Sequence, residues 1–226
     1  MSVRPSQSLV MDRLYRYQRH FYDFTRKFYL LGRDALLQEM ILRPNDRILE
    51  MGCGTARNLI RLAQEHPEIY LYGIDASQEM LKTANNKIHR RGLSRRITVT
   101  TALAEQVHYQ KTFHLDSPFD GMFFSYSLSM IPMWKDALTN AWINLKPGGR
   151  IYIVDFWDQE KLPDWFQTLL QQWLAFFHVR HDPLLVDFLS GFRTTDGHPL
   201  HIDSIFRRYA FKTNLMKSED RPHFLP

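Results

Sequence analysis

A short glycine-containing turn at residues 48–58 constrains the fold of this chain more than any other segment. Two apolar residues, Ile48 and Leu49, lead into Glu50 and then into Gly52 and Gly54. Glycines at this spacing let a strand turn sharply into a helix, and they let backbone amides approach a bound ligand closely. The segment therefore predicts a strand, a ligand-binding turn and a helix, in that order.

A second segment places an acidic residue where a nucleoside would need one. The apolar run 69–74 predicts a strand that ends at Asp75, about 20 residues beyond the glycine turn. A carboxylate at this position is suited to accept hydrogen bonds from the hydroxyls of a ribose. Together the two segments predict the nucleoside-binding half of a doubly wound sheet.

The pattern around the turn separates the classes of nucleotide-binding protein. A dinucleotide motif needs a third glycine, which the chain does not supply between Gly54 and Asn58, and the sequence has no Gly-Lys-Ser/Thr of a P-loop. What remains, E-x-G-x-G-x-A, resembles the S-adenosylmethionine (SAM) motif of class I methyltransferases, with Ala56 where that family usually has a further glycine. The alternative is a glycine turn that binds no ligand.

Three later apolar runs, 97–100, 119–124 and 151–155, follow the same family in order, and an L-K-P-G-G turn precedes the last of them. This succession over residues 48–155 resembles class I methyltransferases. The resemblance implies an α/β fold, a Rossmann-like doubly wound sheet of seven strands with strand 7 antiparallel, with SAM as the cofactor. The residues expected to bind SAM are Arg33, Glu50, Gly52, Cys53, Gly54, Thr55, Asp75, Ala76, Met80, Ala104, Glu105 and Ser125.

Several members of this set have a specific predicted role. Thr55 is expected to cap the helix that follows it, whose amides would face the methionine end of SAM. Ala76 and Met80 correspond by position to residues that cover the adenine in the family. Leu103 stands where the family commonly has an aspartate for the adenine amino group, which leaves the Ala104 amide for that contact.

Length and composition predict one domain of 226 residues. This domain divides into a basic, aromatic helical cap (1–41), a SAM-binding core (46–155) and a C-terminal part (156–226). The C-terminal part is expected to contain substrate-side helices, among them an apolar helix over 165–177, and a closing strand over 206–215. Cys53 is the one cysteine, so no internal disulfide forms, and a reducing compartment is expected. With no signal-peptide pattern and no 18-residue apolar run, a soluble or peripheral protein is expected. The histidines show no paired metal motif, and no metal is predicted.

The basic charge is concentrated at the N-terminus. Residues 1–33 contain seven Lys or Arg and two Asp, a net charge of 7 − 2 = +5, which equals the net charge of the whole chain. Apolar residues recur over 10–31 at helical spacing, and Tyr15, Tyr22 and Tyr29 form a second row seven residues apart. Such a helix suits an anionic membrane surface. The alternative is a helix that packs on the sheet and exposes its charges to solvent.

Flanking segments carry a closer resemblance. Residues 15–34, 126–134 and 211–217 resemble the bacterial betaine-lipid N-methyltransferases, and the likeness extends over 11–217. It implies stepwise methylation of the amine of diacylglyceryl-homoserine to the trimethylated betaine lipid. It also implies a cytoplasmic protein, peripheral on the inner face of the cytoplasmic membrane. Tyr22, Tyr29 and Tyr126 are the candidates to surround the reacting nitrogen, because aromatic faces tolerate an alkylammonium.

Other functions remain open at this stage. A phosphatidylethanolamine N-methyltransferase, or a methyltransferase of a soluble quinone or metabolite, fits the same core motifs. A non-catalytic SAM-binding or membrane-binding module is the rival from a different class. Nucleic acid is not expected as a partner, because the basic charge lies on one aromatic helix without a nucleic-acid-reading motif.

Overall fold

The computed structural model describes residues 30–163, 167, 184–192 and 198–218. The strands are β1 (Arg47–Met51), β2 (Tyr70–Asp75), β3 (Ile97–Thr101), β4 (Phe119–Ser125), β5 (Leu145–Phe156), β6 (Ile202–Ile205) and β7 (Ala210–Met216). The helices in this part of the chain are α1 (Arg33–Gln38), α2 (Arg57–Glu65), α3 (Gln78–Arg90), α4 (Tyr109–Phe113), α5 (Trp134–Ile143) and α6 (Leu184–Ser190), with a 3₁₀ turn at Leu128–Met130.

The seven strands form one sheet in the order β3-β2-β1-β4-β5-β7-β6. Strands β1 to β5 are parallel to one another, whereas β7 is antiparallel to both β5 and β6. From β1 the chain proceeds outward to β2 and β3 on one side, and to β4 and β5 on the other. In open α/β sheets this reversal of strand order leaves a crevice at the carboxyl ends of the strands, where ligands bind. The predicted fold class and the antiparallel strand 7 are confirmed.

Successive strand residues alternate between two apolar layers. On one face, Ile48 and Phe123 pack with residues of α1, α2 and α3. On the other, Leu49 and Phe124 pack with residues of α5 and α6. Because both faces are covered, the central strands are almost continuously buried.

Three local predictions are corrected. Thr55 does not cap α2, because Ala56, at φ 60°, is the residue before the helix, and no side chain caps the first turn. The L-K-P-G-G segment lies within β5 rather than in a turn before it. The closing strand predicted over 206–215 is present as β7, but it begins only at Ala210, because residues 206–208 have positive φ and cannot belong to a strand; its partner β6 was not predicted.

Some predictions lie outside the described residues, among them the helix over 10–31 and the apolar helix over 165–177. Within the described part, no helix is long and apolar enough to cross a membrane. The same part contains no group of three or more His, Cys, Asp or Glu side chains that could hold a metal ion.

Candidate active site

The glycine turn after β1 is shaped by close backbone contacts. The amides of Gly52 and Cys53 both donate to the Ile74 carbonyl, at 2.9 and 2.8 Å. Gly52 has φ 83°, and a Cβ at this position would lie 2.7 Å from the Cβ of Ser127. Only glycine fits such a site, because a side chain would be strained by the backbone and would collide with its neighbour. The turn is therefore a cradle that keeps backbone accessible to a ligand.

Asp75, the last residue of β2, holds the turn from the other side. One carboxylate oxygen accepts from the Gly54 amide at 2.8 Å, and the other accepts from the Ser77 amide at 2.9 Å. Ser77 in turn caps α3, since its hydroxyl accepts from the Met80 amide. The carboxylate thus has a fixed orientation, and its contact with the ribose hydroxyls, for which the sequence pattern indicated this residue, stays a prediction.

Glu50 lies beneath the turn rather than in the cleft. Its side chain is buried, and its Oε1 accepts from the Asn58 amide group at 2.7 Å. Asn58 stands in the first turn of α2, so this bond ties the helix to the end of β1. Asn58 had no predicted role, because its partner is recognised only once the strand and the helix are folded side by side.

Two further predicted cofactor residues also face away from the cleft. Cys53 is buried against β2, where a Cβ on Gly73 would lie 2.8 Å from its sulfur, and burial raises the pKa of the thiol well above its ordinary value. The hydroxyl of Thr55 accepts from the ammonium group of Lys87 at 3.0 Å. A contact of either residue with SAM, through its backbone, stays a prediction.

A cleft of about 670 Å³, partly open to solvent, lies at the carboxyl ends of β1 to β4. The cleft brings together eight predicted site residues: Gly52, Gly54, Asp75, Ala76, Met80, Ala104, Glu105 and Tyr126. It is also lined by residues that the predicted set omitted: Ile74, Ala102, Leu103, Ser127, Met130 and Ile131. Most of these have apolar side chains, and an apolar residue at a loop carries no sequence signal that separates a ligand contact from core packing.

At one end of the cleft, beyond β4, two hydroxyls are committed to backbone carbonyls. Tyr126, at φ 56°, donates from its phenol to the Leu31 carbonyl, and Ser127 donates to the Met51 carbonyl at 2.7 Å. The Tyr126 ring is buried, stands edge-on to Phe156 with centroids 4.7 Å apart, and its pKa is raised well above 10 by burial. The structure gives Tyr126 a packing role, while its contact with a reacting nitrogen stays a prediction.

Two other described residues of the predicted set, Ser125 and Arg33, do not line the cleft. Ser125 is buried at the end of β4, and Arg33 is nearly buried in α1, close enough to Tyr126 for its charge to act on the pKa of that phenol. Tyr22 and Tyr29 lie outside the described residues, so their predicted role is neither confirmed nor contradicted.

A buried acid that the predicted set of site residues omitted lies behind the end of the cleft that is beyond β4. Asp155, near the end of β5, accepts from the Ser129 amide at 3.1 Å and from the Phe156 amide at 2.8 Å. It is fully buried, and burial raises the pKa of its carboxyl from 3.8 to about 6, against the opposing effect of these hydrogen bonds. Through Ser129 it fixes the 3₁₀ turn Leu128–Met130, the end of which lines the cleft.

Comparison with known proteins identifies the family. A family model described as a methyltransferase domain matches residues 42–187, well over half of the chain. The chain belongs to this methyltransferase family. The glycine cradle and the fixed Asp75 carboxylate fit the cofactor of these enzymes, SAM, whose methionine and ribose parts they would hold.

The individual methyltransferases that the chain resembles are less than 30% identical to it. The chain is 29% identical over 123 residues to the 27-O-demethylrifamycin SV methyltransferase of Amycolatopsis mediterranei, covering 54% of this chain and 43% of that protein. It is 26% identical over 141 residues to a ubiquinone/menaquinone biosynthesis C-methyltransferase of Geotalea daltonii, covering 60% and 58%. The match thus spans about half the length of these curated relatives.

Among solved structures, the chain resembles the S-adenosylmethionine-dependent methyltransferase SibL. The TM-score is 0.66 at 21% identity, over 88% of this chain and 58% of that one. At such low identity the likeness concerns the fold alone.

Proposed function

We propose that this methyltransferase transfers methyl groups from SAM to the amine of a diacylglyceryl-homoserine lipid, ending at the trimethylated betaine lipid. The observation that carries the proposal is the wall of the cleft beyond β4. The Tyr126 and Ser127 hydroxyls donate to backbone carbonyls, and Met130 and Ile131 complete an apolar surface. Such a wall suits a reaction that depends on approach and desolvation rather than on proton transfer. The flanking segments that resemble betaine-lipid enzymes support the choice of lipid.

Methyl transfer to an amine is a reaction that suits a cleft with such a wall. The lone pair of a neutral amine attacks the methyl carbon, and the N–C bond forms as the C–S bond breaks. After the first and second transfers the product ammonium loses a proton to water, whereas the third transfer gives a quaternary ammonium that has no proton to lose. SAM leaves as S-adenosylhomocysteine. Holding the two reactants in line supplies on the order of 7–11 kcal/mol of the barrier reduction. Each transfer enlarges the substituted nitrogen, and an aromatic face stabilises the resulting cation by roughly 0.5–2 kcal/mol. In this proposal Tyr22, Tyr29 and Tyr126 supply such faces.

The proposal places the enzyme at a bilayer surface. A two-chain lipid does not leave the membrane readily, so the enzyme has to work at the interface. Residues 1–33 carry a net charge of +5, and each basic residue near an anionic surface contributes about 1 kcal/mol of binding. The chain is accordingly proposed to be peripheral, on the inner face of the cytoplasmic membrane.

A quinone methyltransferase is the second candidate, and the relative from Geotalea daltonii favours it. Methylation at a ring carbon of a quinol requires removal of a hydroxyl proton, and therefore a base close to the substrate. A phosphatidylethanolamine N-methyltransferase differs from the leading proposal only in the headgroup. A SAM-binding module without catalysis is the remaining rival.

One assay separates these possibilities. The purified full chain is incubated with methyl-labelled SAM and with vesicles that contain diacylglyceryl-homoserine, phosphatidylethanolamine or a demethylated quinol. Label in the first lipid, with mono-, di- and trimethylated products in sequence, is expected. Asp75→Ala, which removes the ribose acceptor, is the matched inactive control. Label confined to the quinol or to phosphatidylethanolamine would replace the proposal, and SAM binding without any labelled product would favour the non-catalytic module.

A further inference from the structure

The hairpin of β6 and β7 ends at the same edge of the sheet as the cleft. Because β7 is antiparallel to both of its neighbours, β6 runs in the direction of β5 and β4, and residues 206–209 follow its carboxyl end. Three strand spacings separate β6 from β4, about 14 Å along the sheet edge. The tip of the hairpin, residues 206–209, therefore lies at the cleft edge of the sheet but outside the cleft itself.

The tip has an unusual backbone. Phe206, Arg207 and Arg208 have φ of 43°, 53° and 60°, a left-handed conformation that costs L-residues roughly 1–2 kcal/mol each. Glycine or asparagine would adopt it at lower cost, and neither occurs here. A run of strained residues marks a place where the side chains themselves are a candidate for function.

Arg208 and Tyr209 attach the tip to residues 157–160, whereas two other side chains of the tip lie at the surface. The Arg208 guanidinium lies 4.9 Å from the centre of the Trp157 ring and pairs with Asp158 and with Glu160, the latter at 3.1 Å. The Trp157 amide donates to the Tyr209 carbonyl at 3.0 Å. Above this base Phe206 is 62% exposed, and Arg207 is exposed as well.

The basic N-terminal segment joins the fold next to this hairpin. Gly32 abuts Ile205 so closely that a Cβ on the glycine would lie 2.2 Å from the Ile205 side chain. Lys212 of β7 also pairs with Glu39, just after α1. Gly32 and Glu39, which lie before and after α1, thus pack on the hairpin. An exposed aromatic ring beside a guanidinium matches the two layers of an anionic bilayer surface, acyl chains below and phosphates above.

We infer that Phe206 and Arg207 form a contact with anionic bilayers, with Phe206 inserted at the acyl boundary and Arg207 bound to lipid phosphate. The inference rests on the proposed function, since it concerns how a lipid methyltransferase would reach its substrate. It assigns docking to a part of the molecule separate from both the cleft and the N-terminal segment.

The test measures binding of the full chain to vesicles of phosphatidylcholine with and without phosphatidylglycerol. Phe206→Ser is expected to weaken binding to both about tenfold, because burial of a phenylalanine contributes on that order. Arg207→Glu is expected to weaken binding about tenfold only where phosphatidylglycerol is present. Ile143→Ser is the matched control: Ile143 is 57% exposed, but it ends α5 at the opposite edge of the sheet, so binding should not change.

A fluorescent label gives a second, independent reading. Cys53 is only 6% exposed, so a thiol-reactive, environment-sensitive dye reacts selectively with the side chain introduced by Phe206→Cys. Its emission should shift to the blue when anionic vesicles are added, whereas the dye on Ile143→Cys should not respond. Unchanged vesicle binding by Phe206→Ser, together with an unresponsive dye at position 206, would overturn the inference. Loss of self-association in Phe206→Ser, with vesicle binding retained, would also overturn it and would assign the tip to a protein contact.

Failure of the inference is distinguishable from failure of the proposed function. Vesicle binding is measured without SAM, so it is independent of which substrate is methylated. Methyl transfer to a water-soluble homoserine-ether headgroup should be the same in Phe206→Ser and the parent, while transfer to the lipid in vesicles falls. If the parent methylates neither substrate, the proposed function fails, and the vesicle data still decide the role of the hairpin.

Discussion

The Asp75 carboxylate accepts a hydrogen bond from the Gly54 amide at 2.8 Å, and so links the end of β2 to the glycine turn after β1. The second carboxylate oxygen accepts from the Ser77 amide. One side chain thus orders two loops of the cleft that it lines.

Replacement of Asp75 should therefore weaken SAM binding more than the loss of ribose contacts alone. Hydrogen bonds to a charged acceptor contribute roughly 1.5–3 kcal/mol each, so Asp75→Ala should lower SAM affinity by at least about tenfold in calorimetry. Asp136→Asn, which removes a charge on the exposed first turn of α5, is the control. SAM affinity unchanged in Asp75→Ala would reject this assignment of the cleft.

Gly52 and Gly92 allow the effect of backbone strain to be separated from that of a clash. Both have positive φ, 83° and 66°, but a Cβ at Gly52 meets Ser127 at 2.7 Å, whereas one at Gly92 has nothing within 4 Å. Gly92→Ala should cost about 1–2 kcal/mol of unfolding free energy. Gly52→Ala should cost roughly 1–3 kcal/mol more, because of overpacking, and should abolish tight SAM binding. Denaturant unfolding measures both. Equal losses in the two variants would mean that Ser127 moves aside without cost.

The Tyr126 hydroxyl is expected to matter for stability rather than for chemistry. Tyr126→Phe keeps the ring but leaves the Leu31 carbonyl without its buried donor, at a cost of roughly 1–3 kcal/mol. Tyr152→Phe is the matched variant, because the Tyr152 hydroxyl accepts from the Ile41 amide at 3.0 Å and likewise joins the segment around α1 to the sheet. Both variants should unfold more easily and keep kcat within about threefold, less than 1 kcal/mol of barrier. A fall in kcat of several orders of magnitude in Tyr126→Phe alone would make that hydroxyl catalytic.

Asp155 should make the protein less stable as the pH rises from about 4 to about 7. Its carboxyl has a pKa of about 6 in the folded chain and 3.8 ordinarily, so between these values the folded state retains a proton that the unfolded chain releases. The loss amounts to about 3 kcal/mol in total, since a difference of one in pKa between the folded and unfolded states corresponds to about 1.4 kcal/mol.

Asp155→Asn removes this titration. The unfolding free energy of the variant minus that of the parent should therefore increase by about 3 kcal/mol between pH 4 and pH 7. Urea unfolding at several pH values measures this difference. A difference that decreases with pH would mean that the two backbone amides lower the pKa of Asp155 more than burial raises it.

The architecture was predictable because it depends on local signals. The glycine turn at 52 and 54 and the apolar run that ends at Asp75 each require only a few neighbouring residues, and both are confirmed. The features that were missed depend on contacts between distant residues. Asp155 meets Ser129 across 26 positions of sequence, and its burial follows from packing of both sheet faces. The closing strand was predicted to begin at Phe206 rather than at Ala210, because nothing in the sequence Phe-Arg-Arg indicates a left-handed backbone.

Charge patterning was also only partly recognised. Residues 80–104 contain six Lys or Arg and no acidic residue, although the sequence beyond residue 33 is neutral overall. The structure places Arg90, Arg91 and Arg95 at the end of α3 and just before β3, at the edge of the sheet opposite the cleft. This second basic cluster is exposed and provides a control for the membrane proposal.

Charge reversal in the N-terminal segment is expected to abolish tight binding to anionic vesicles without a change in the affinity for SAM. Replacing Arg13, Arg16 and Lys27 by glutamate changes the net charge by −6, and each basic residue near the surface contributes about 1 kcal/mol. The same replacement at Arg90, Arg91 and Arg95 changes the net charge equally, but at the edge opposite the cleft. At low salt the first variant should bind phosphatidylglycerol vesicles at least about tenfold more weakly, and the second should bind like the parent. Salt should reduce the difference, because the Debye length shortens to about 10 Å at 0.1 M. Equal loss in both variants would mean that net charge alone drives binding, and equal retention would mean that the N-terminal segment only covers the cleft.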